Sequence, residues 1–291
     1  MLESSPALYR AGSGEPLLLL HGFTGTWHHW RPLLDGLAAR YEVIAPTLAG
    51  HDGGPPFDMG GPLTFASSAD HLERHLDEIG VGAAHVVGNS MGGGLALELA
   101  KRGRALSVVA LAPAGGWVEG DGEAKRLARL FARQRRMTRL NAKRMPLVMG
   151  RPRSRRLALR EVMRHGELLS PAEAVDLALT SVHCPIAPAA IEALRADRGL
   201  ALGDLDRIAC PVLLASPEFD RILPAERHAP RYRREIPGVE SRMLPGCGHV
   251  PMWDDTQLVL RTIGEFVDRH LYSNSAIRPA ALAAPSVSTS R

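Results

Sequence analysis

The stretch "AHVVGNSMGGGLALELA", residues 84–100, decides the fold. An aliphatic run passes through Gly-Asn-Ser-Met-Gly-Gly straight into a helix-like apolar pattern. Glycines at such a junction weaken both elements through backbone entropy, so their concentration here calls for a steric reason. The segment Gly88-Asn89-Ser90-Met91-Gly92 fits G-x-S-x-G, a strained turn from strand to helix that lifts a serine hydroxyl above a sheet. A side chain at Gly88 or Gly92 would collide with neighbouring backbone in so tight a turn. The "AHVV" before it and the "GLALELAKR" after it supply the strand and the helix that the pattern requires.

Working outward, short aliphatic runs alternate with longer helix-patterned segments, the rhythm of βαβ units. Strands are expected at 16–21, 41–47, 84–89, 106–113, 211–216 and 240–246, and helices at 30–39, 65–79, 92–102, 225–235 and 256–270. Several strands are aliphatic on successive positions, as in sheets covered on both faces. The fold class is therefore α/β, a mostly parallel twisted sheet flanked by helices. Between about 116 and 188 the rhythm breaks into arginine-rich helical patterns punctuated by Pro146, Pro152, Pro171 and Pro185. The organisation expected is a core of residues 1–116 and 187–271, a helical insertion at 117–186, and a Ser-, Ala- and Pro-rich tail at 272–291 that is disordered.

With 291 residues and 45% hydrophobic composition the chain can bury a large core, in one domain with an insertion. No apolar run approaches the roughly 18 residues of a membrane-spanning helix. The N-terminal segment contains acidic Glu3 and Glu15 and does not read as a secretion signal. Cys184, Cys210 and Cys247 are odd in number, scattered and without metal-ligand spacing, which reads as free thiols in a reducing compartment. The expected location is cytoplasmic. The net charge of +4 is concentrated in arginines between residues 125 and 164. A chain this rich in arginine and poor in lysine carries such a face as a compositional bias, and no aromatic interleaving supports stacking on bases, so no nucleic acid partner is expected. A weak contact of that face with an anionic surface is compatible with catalysis.

A serine hydroxyl needs a base within reach and donors aimed at the oxyanion it generates. "LPGCGHVPMW" places His249 on a loop after a late strand, and "PVLLASPEFDRILP" places Asp220 just past the strand before it. Loops at the carboxyl ends of parallel strands open at one edge of the sheet, so Ser90, Asp220 and His249 can converge. Glu218 is the nearest rival for the acid; Asp204 and Asp206 precede their strand and belong at its opposite end. His21, His28, His29 and His51 cluster in the first part of the chain without HxxxH or HExxH spacing, so no metal is expected, and no cofactor.

At this point the chain resembles the α/β-hydrolase family. "LLLLHGFTGT" is similar to the family's strand and oxyanion loop, "VVGNSMGG" to its nucleophile elbow, "FDRILP" to its acid loop and "GCGHVPMWDD" to its histidine loop. The resemblance implies that Asp220 orients His249, that His249 takes the Ser90 proton, and that the backbone amides of Phe23 and Met91 form the oxyanion hole. It also implies that His21 supports the oxyanion loop and that the helical insertion is a cap over the site. Relatives that open epoxides or cleave carbon–halogen bonds carry aspartate at the elbow, which Ser90 argues against. The expected reaction is acyl transfer to water on a small carboxylic ester. The alternative is hydrolysis of a carbon–carbon bond in vinylogous diketones, whose enzymes pair a similar elbow with a cap arginine and a Trp after the histidine; here Val250 follows His249. A further alternative is a non-catalytic, ligand-binding member of the fold.

Overall fold

Alternate residues of the central strands enter two separate cores. Leu18, Leu20, Val86, Val108, Ala110, Val212 and Leu214 face one core. Leu17, Leu19, Val87, Val109, Leu111, Leu213 and Ala215 face the other. The two-residue period of a strand makes this division automatic, and both faces are apolar because both are covered. The computed structural model describes residues 3–4 and 7–271. The expected tail, 272–291, lies outside the described residues.

The strands are β1 (Glu3–Ser4), β2 (Leu8–Ala11), β3 (Pro16–Leu20), β4 (Glu42–Pro46), β5 (Ala84–Asn89), β6 (Ala105–Leu111), β7 (Val212–Pro217) and β8 (Glu240–Leu244). They form one sheet in the order β1-β2-β4-β3-β5-β6-β7-β8. From β4 to β8 all neighbours are parallel, while β1 and β2 pair antiparallel at the edge. The sequence reading did not foresee β1 and β2. Both are short, and β2 spends half its length on the polar sequence Tyr-Arg, so neither produces an aliphatic run.

The helices that cover the sheet are α1 (Arg31–Ala38), α2 (Phe65–Glu78) and α3 (Met91–Lys101). Between β6 and β7 come α4 (Glu123–Asn141), α5 (Met145–Gly150), α6 (Pro152–Leu159), α7 (Pro171–His183) and α8 (Ala187–Ala196). The chain closes with α9 (Ala225–Glu235) and α10 (Thr256–His270). Helices α1 and α10 bury Leu33, Leu37, Ile263 and Phe266 on one face of the sheet. Helices α2, α3 and α9 bury Leu72, Leu95 and Tyr232 on the other. Helix α8 starts beyond residue 186, yet its Ile191 and Leu194 pack on Leu127 and Ala128 of α4. No single helix among the described residues is long and apolar enough to cross a membrane; α7 and α8 would qualify only together, and they are bent by 66°.

Helix α2 starts at a capping box, with Thr64 and Ser67 exchanging side chain-to-backbone bonds. It is fastened to α3 by Arg102, which reaches Asp70 and Glu73 at 2.7 Å and Glu98 at 3.2 Å. These carboxylates hold the guanidinium further toward its charged form against the opposing effect of burial.

The approach of α3 to the sheet leaves no room for a side chain. A Cβ on Gly92 would sit 2.0 Å from the Leu20 carbonyl oxygen, and one on Gly88 would sit 2.1 Å from the Gly92 oxygen. Gly82, just before β5, has nothing within 4 Å of its added Cβ. Gly92→Ala is expected to cost about 3 kcal/mol or more in urea denaturation, because a strand carbonyl cannot step aside, whereas Gly82→Ala stays within about 0.5 kcal/mol of the parent.

Candidate active site

Ser90 sits between β5 and α3 with φ 58° and ψ −118°, a conformation that non-glycine residues adopt only under constraint. Three backbone hydrogen bonds hold it there. Its N–H donates to Leu111 O at 2.9 Å, and its own carbonyl accepts from Gly94 at 3.0 Å and from Ala114 at 2.9 Å. Met91 is the first residue of α3, so its N–H has no intrahelical acceptor and points out of the helix end. Gly22 backs the turn: a Cβ there would lie 3.2 Å from Ser90 Cβ.

The loop after β3 begins at His21, which is fully buried. Its Nδ1–H donates to Gly22 O at 2.9 Å, and its Nε2 accepts from the Leu48 N–H at 2.9 Å. That pair of bonds fixes one neutral tautomer and joins the loop to the end of β4. Burial, with the neighbouring His51, holds its pKa well below the usual imidazole value. His29 and His51 are likewise pushed down by burial, each to about 4. The His21 ring packs edge-on against both, at centroid distances of 6.3 and 4.9 Å. These histidines are packing groups around the loop that carries Phe23.

Asp220 follows β7 and is buried. Its Oδ1 accepts from the Ile222 and Leu223 amides, both at 2.8 Å. Its Oδ2 accepts from His249 Nδ1 at 2.7 Å. Burial works to raise this carboxyl, but the His249 charge and hydrogen bond and the two amides outweigh it and hold it below the usual range. Glu218, the rival, turns outward and accepts from the Gly246 amide at 2.9 Å. Asp204 and Asp206 lie in the 3-10 turn region before β7, at the opposite end of that strand.

His249 follows β8 and is buried against the elbow. Asn89, the residue before Ser90, donates from Nδ2 to His249 O at 2.9 Å and to Leu111 O at 3.2 Å. The structure thus joins Asp220 to His249 directly and ties the His249 main chain to the elbow. The Ser90 hydroxyl makes no hydrogen bond among the described residues.

Two further anchors were not legible in the sequence. Asp254 accepts from Gly248 N at 2.7 Å, Arg164 N at 2.9 Å and His165 N at 2.6 Å, so it clasps the histidine loop to residues 164–165. Glu123, at the start of α4, accepts from His228 Nε2 at 3.1 Å and from Arg126 at 2.9 Å. Arg126 also donates to the carbonyl of Ile222, whose amide holds Asp220. In sequence each is only one acidic residue in a polar stretch; their distant partners, Arg164, His165 and His228, are 89 to 105 positions away.

A cavity reaches Ser90, Met91 and Phe23. One end lies under the insertion, against Leu127, Phe131 and Leu194, and the other runs past Phe57, Leu63 and Leu72 beside α2. Its lining includes Thr47, Thr64, Ser68 and three histidines, but no Arg, Lys, Asp or Glu. His249 is not among its lining residues. The three cysteines are free, and burial raises the thiols of Cys184 and Cys210 to about 11 and that of Cys247 to about 12.

Burial works to raise the Glu123 carboxyl, but its bonds from His228 and Arg126 overcome it and bring the pKa down to about 2. A depressed carboxyl stabilises the fold above its unfolded pKa, and the contribution fades as pH falls through the folded value. Glu123→Gln is therefore expected to remove roughly 2–4 kcal/mol at neutral pH and to flatten the stability profile between about pH 4.5 and 2, read by denaturation at several pH values.

A family model described as the alpha/beta hydrolase family matches residues 17–262. "Epoxide hydrolase EphH" of Mycobacterium tuberculosis is 31% identical over 207 residues, covering 71% of this chain and 96% of the relative. Among solved structures, a thermophilic esterase from Thermogutta terrifontis superposes with TM-score 0.70 at 23% identity, over 92% of this chain and 97% of that one. A meta-cleavage product hydrolase from Pseudomonas fluorescens superposes with TM-score 0.66 at 23% identity, over 92% and 98%. These two likenesses speak for the fold alone.

Proposed function

The chain belongs to the α/β hydrolase family, and within it we propose a serine hydrolase that cleaves a small, uncharged carboxylic ester with Ser90, His249 and Asp220 as its triad. The observation that carries the reading is a serine on a strained elbow at the mouth of an apolar cavity, beside a buried Asp220–His249 pair at 2.7 Å.

The mechanism follows from the donors and acceptors available. His249 Nδ1–H is committed to Asp220, which leaves Nε2 as the basic nitrogen. Ser90 Oγ attacks the ester carbonyl carbon while its proton passes to Nε2. The carbonyl oxygen becomes an oxyanion facing the N–H groups of Phe23 and Met91, the latter at the positive end of α3. The C–O bond to the alcohol breaks, and His249 returns the proton to the leaving oxygen. Water, deprotonated by the same nitrogen, then attacks the acyl-enzyme, and Ser90 recovers its proton as the acid departs. Two amides and one imidazole donate to Asp220 and hold it ionised, so the imidazolium that forms meets a carboxylate already charged.

The lining supports the uncharged substrate. A buried carboxylate without a cationic partner carries a desolvation penalty of several kcal/mol. The carbon–carbon alternative requires a cation for the substrate carboxylate, and the cavity supplies no arginine or lysine despite the arginines of the insertion. An epoxide reaction in the manner of aspartate-bearing relatives lacks its carboxylate nucleophile here.

A fluorophosphonate probe is expected to label Ser90, with labelling lost in Ser90→Ala; a folded protein that stays unlabelled and inert to activated esters is a binding protein instead. Asp220→Asn is expected to lower kcat by about 10³–10⁴-fold, with Glu218→Gln near the parent. Neutral p-nitrophenyl butyrate should exceed the hemisuccinate ester in kcat/KM by at least about tenfold, whereas rapid turnover of an anionic vinylogous diketone would transfer the assignment to carbon–carbon hydrolysis.

A further inference from the structure

The charges of this chain are segregated. Residues 124–160 contain 14 of its 35 basic residues and none of its 31 acidic ones. The remaining chain therefore holds 21 basic against 31 acidic residues, an overall negative body. The basic segment coincides with α4, α5 and α6. Elsewhere arginines are matched by carboxylates, as in Arg10–Glu42, Arg104–Asp77 and Arg242–Glu265. The exposed cations between residues 133 and 153 make no ion pair among the described residues.

Large apolar side chains are exposed in the same place. Met137, Leu140, Leu147, Leu157 and Leu168 are each more than half exposed. On α4, Arg133, Arg136, Met137 and Leu140 are all exposed and recur at i, i+3, i+4 and i+7, which puts cations and apolar groups on one helix face. Leu157 also lines a groove with Arg153, Arg156, Arg160 and Arg221. Across that groove the Arg164 guanidinium lies over the Phe219 ring, 4.5 Å from its centroid. Such a groove matches a phosphate group beside an apolar chain.

We infer that the outer face of α4, α5 and α6 docks on an anionic phospholipid bilayer, its arginines on the headgroups and its exposed Met and Leu side chains in the headgroup–acyl boundary. Charge complementarity selects an anionic partner, and the interleaved aliphatic groups select lipid over nucleic acid, because no aromatic ring lies between residues 132 and 160 to stack on bases. Phe131, on the same helix α4, lines the cavity that reaches Ser90. Docking therefore brings the cavity close to apolar esters dissolved in the membrane. The inference deepens the ester reading but does not depend on the serine chemistry, since binding is measured separately.

Full-length protein and Ser90→Ala would be co-sedimented with vesicles of phosphatidylcholine, alone or with about one third phosphatidylglycerol. Both proteins are expected to bind the anionic vesicles at least about tenfold more tightly at low salt and to be released by high salt. Each of Arg136→Gln, Arg139→Gln and Arg144→Gln should weaken binding about fivefold. Leu140→Ser with Leu147→Ser should weaken it several-fold at unchanged charge, and hydrolysis of soluble p-nitrophenyl butyrate should be unaffected in all these surface variants. Equal binding to both vesicle types overturns the proposal. So does a leucine variant that binds like the parent while duplex DNA or a polyacidic peptide competes fully, an outcome that makes the face a general polyanion site. Loss of ester hydrolysis in Ser90→Ala with binding retained separates this result from the fate of the catalytic reading.

Discussion

The contact between the first turn of α3 and strand β3 governs everything built above it. Gly92 passes so close to the Leu20 carbonyl that only hydrogen fits, and Gly88 faces the Gly92 carbonyl in the same way. That approach forces the chain to reverse within one residue, and the residue is Ser90, held at positive φ by bonds to Leu111, Gly94 and Ala114. A looser turn would let the serine relax into an ordinary helix cap and would drop its hydroxyl back toward the sheet. Strain in the turn is sustained because both flanking elements, β5 and α3, are buried along nearly their entire length. The same approach aims the Met91 amide outward and lays Gly22 against Ser90, so one close contact sets the positions of the hydroxyl and of the Met91 amide.

Around this turn the protein handles buried polarity in two ways. Histidines 21, 29 and 51 are kept neutral by burial, and where they bond at all they bond to backbone. They give the loop after β3 a polar scaffold that does not change charge near neutral pH. Carboxylates are kept ionised by several donors at once, as at Asp220 with three and Glu123 with His228 and Arg126. A buried carboxylate with fewer donors would take up a proton instead. The donors also make connections: Arg126 reaches the Ile222 carbonyl while the Leu223 amide of the same peptide unit reaches Asp220, so the first turn of α4 is coupled to the Asp220 loop through a single peptide unit.

Much of this was legible in the chain because the informative features are local. The glycines of the elbow, the aliphatic β5 and the pattern of α3 occur within 18 consecutive residues, and steric reasoning on them alone gives the turn. β5, α9 and α10 match the sequence reading to the residue, and the other central strands differ by one or two positions at their ends, where fraying and turn geometry decide. The expected positions of Ser90, Asp220 and His249 follow from the rule that parallel strands open their loops at one edge. What was not legible depends on long-range pairing. Strand β2 exists because β4 offers it an antiparallel partner, and its own residues carry no strand signature. Asn89 resembles any polar residue at a strand end until its amide is seen bridging Leu111 and His249. The clasp of Asp254 needs a loop almost 90 residues earlier, and no local pattern announces it.

A relative named an epoxide hydrolase shares this scaffold, so the reaction proposed for this chain rests on its own site residues. In the proposed reading the sheet, the elbow and the acid–histidine pair leave the nucleophile open, and the side chain at position 90 would decide which covalent intermediate forms. A carboxylate attacking an epoxide carbon gives an ester, whose carbonyl water can attack in turn. A serine attacking the same carbon would give an ether, which offers water no electrophilic carbonyl and would leave the enzyme alkylated. Serine therefore becomes useful only when the substrate brings the carbonyl itself, because then the intermediate is an ester again and the same histidine can activate its hydrolysis. The cavity agrees with that division of labour. Its walls offer apolar surface and a few hydroxyls and imidazoles, with no charged group to perform chemistry of its own, which supports the proposed reading in which the ligand brings the reacting carbonyl.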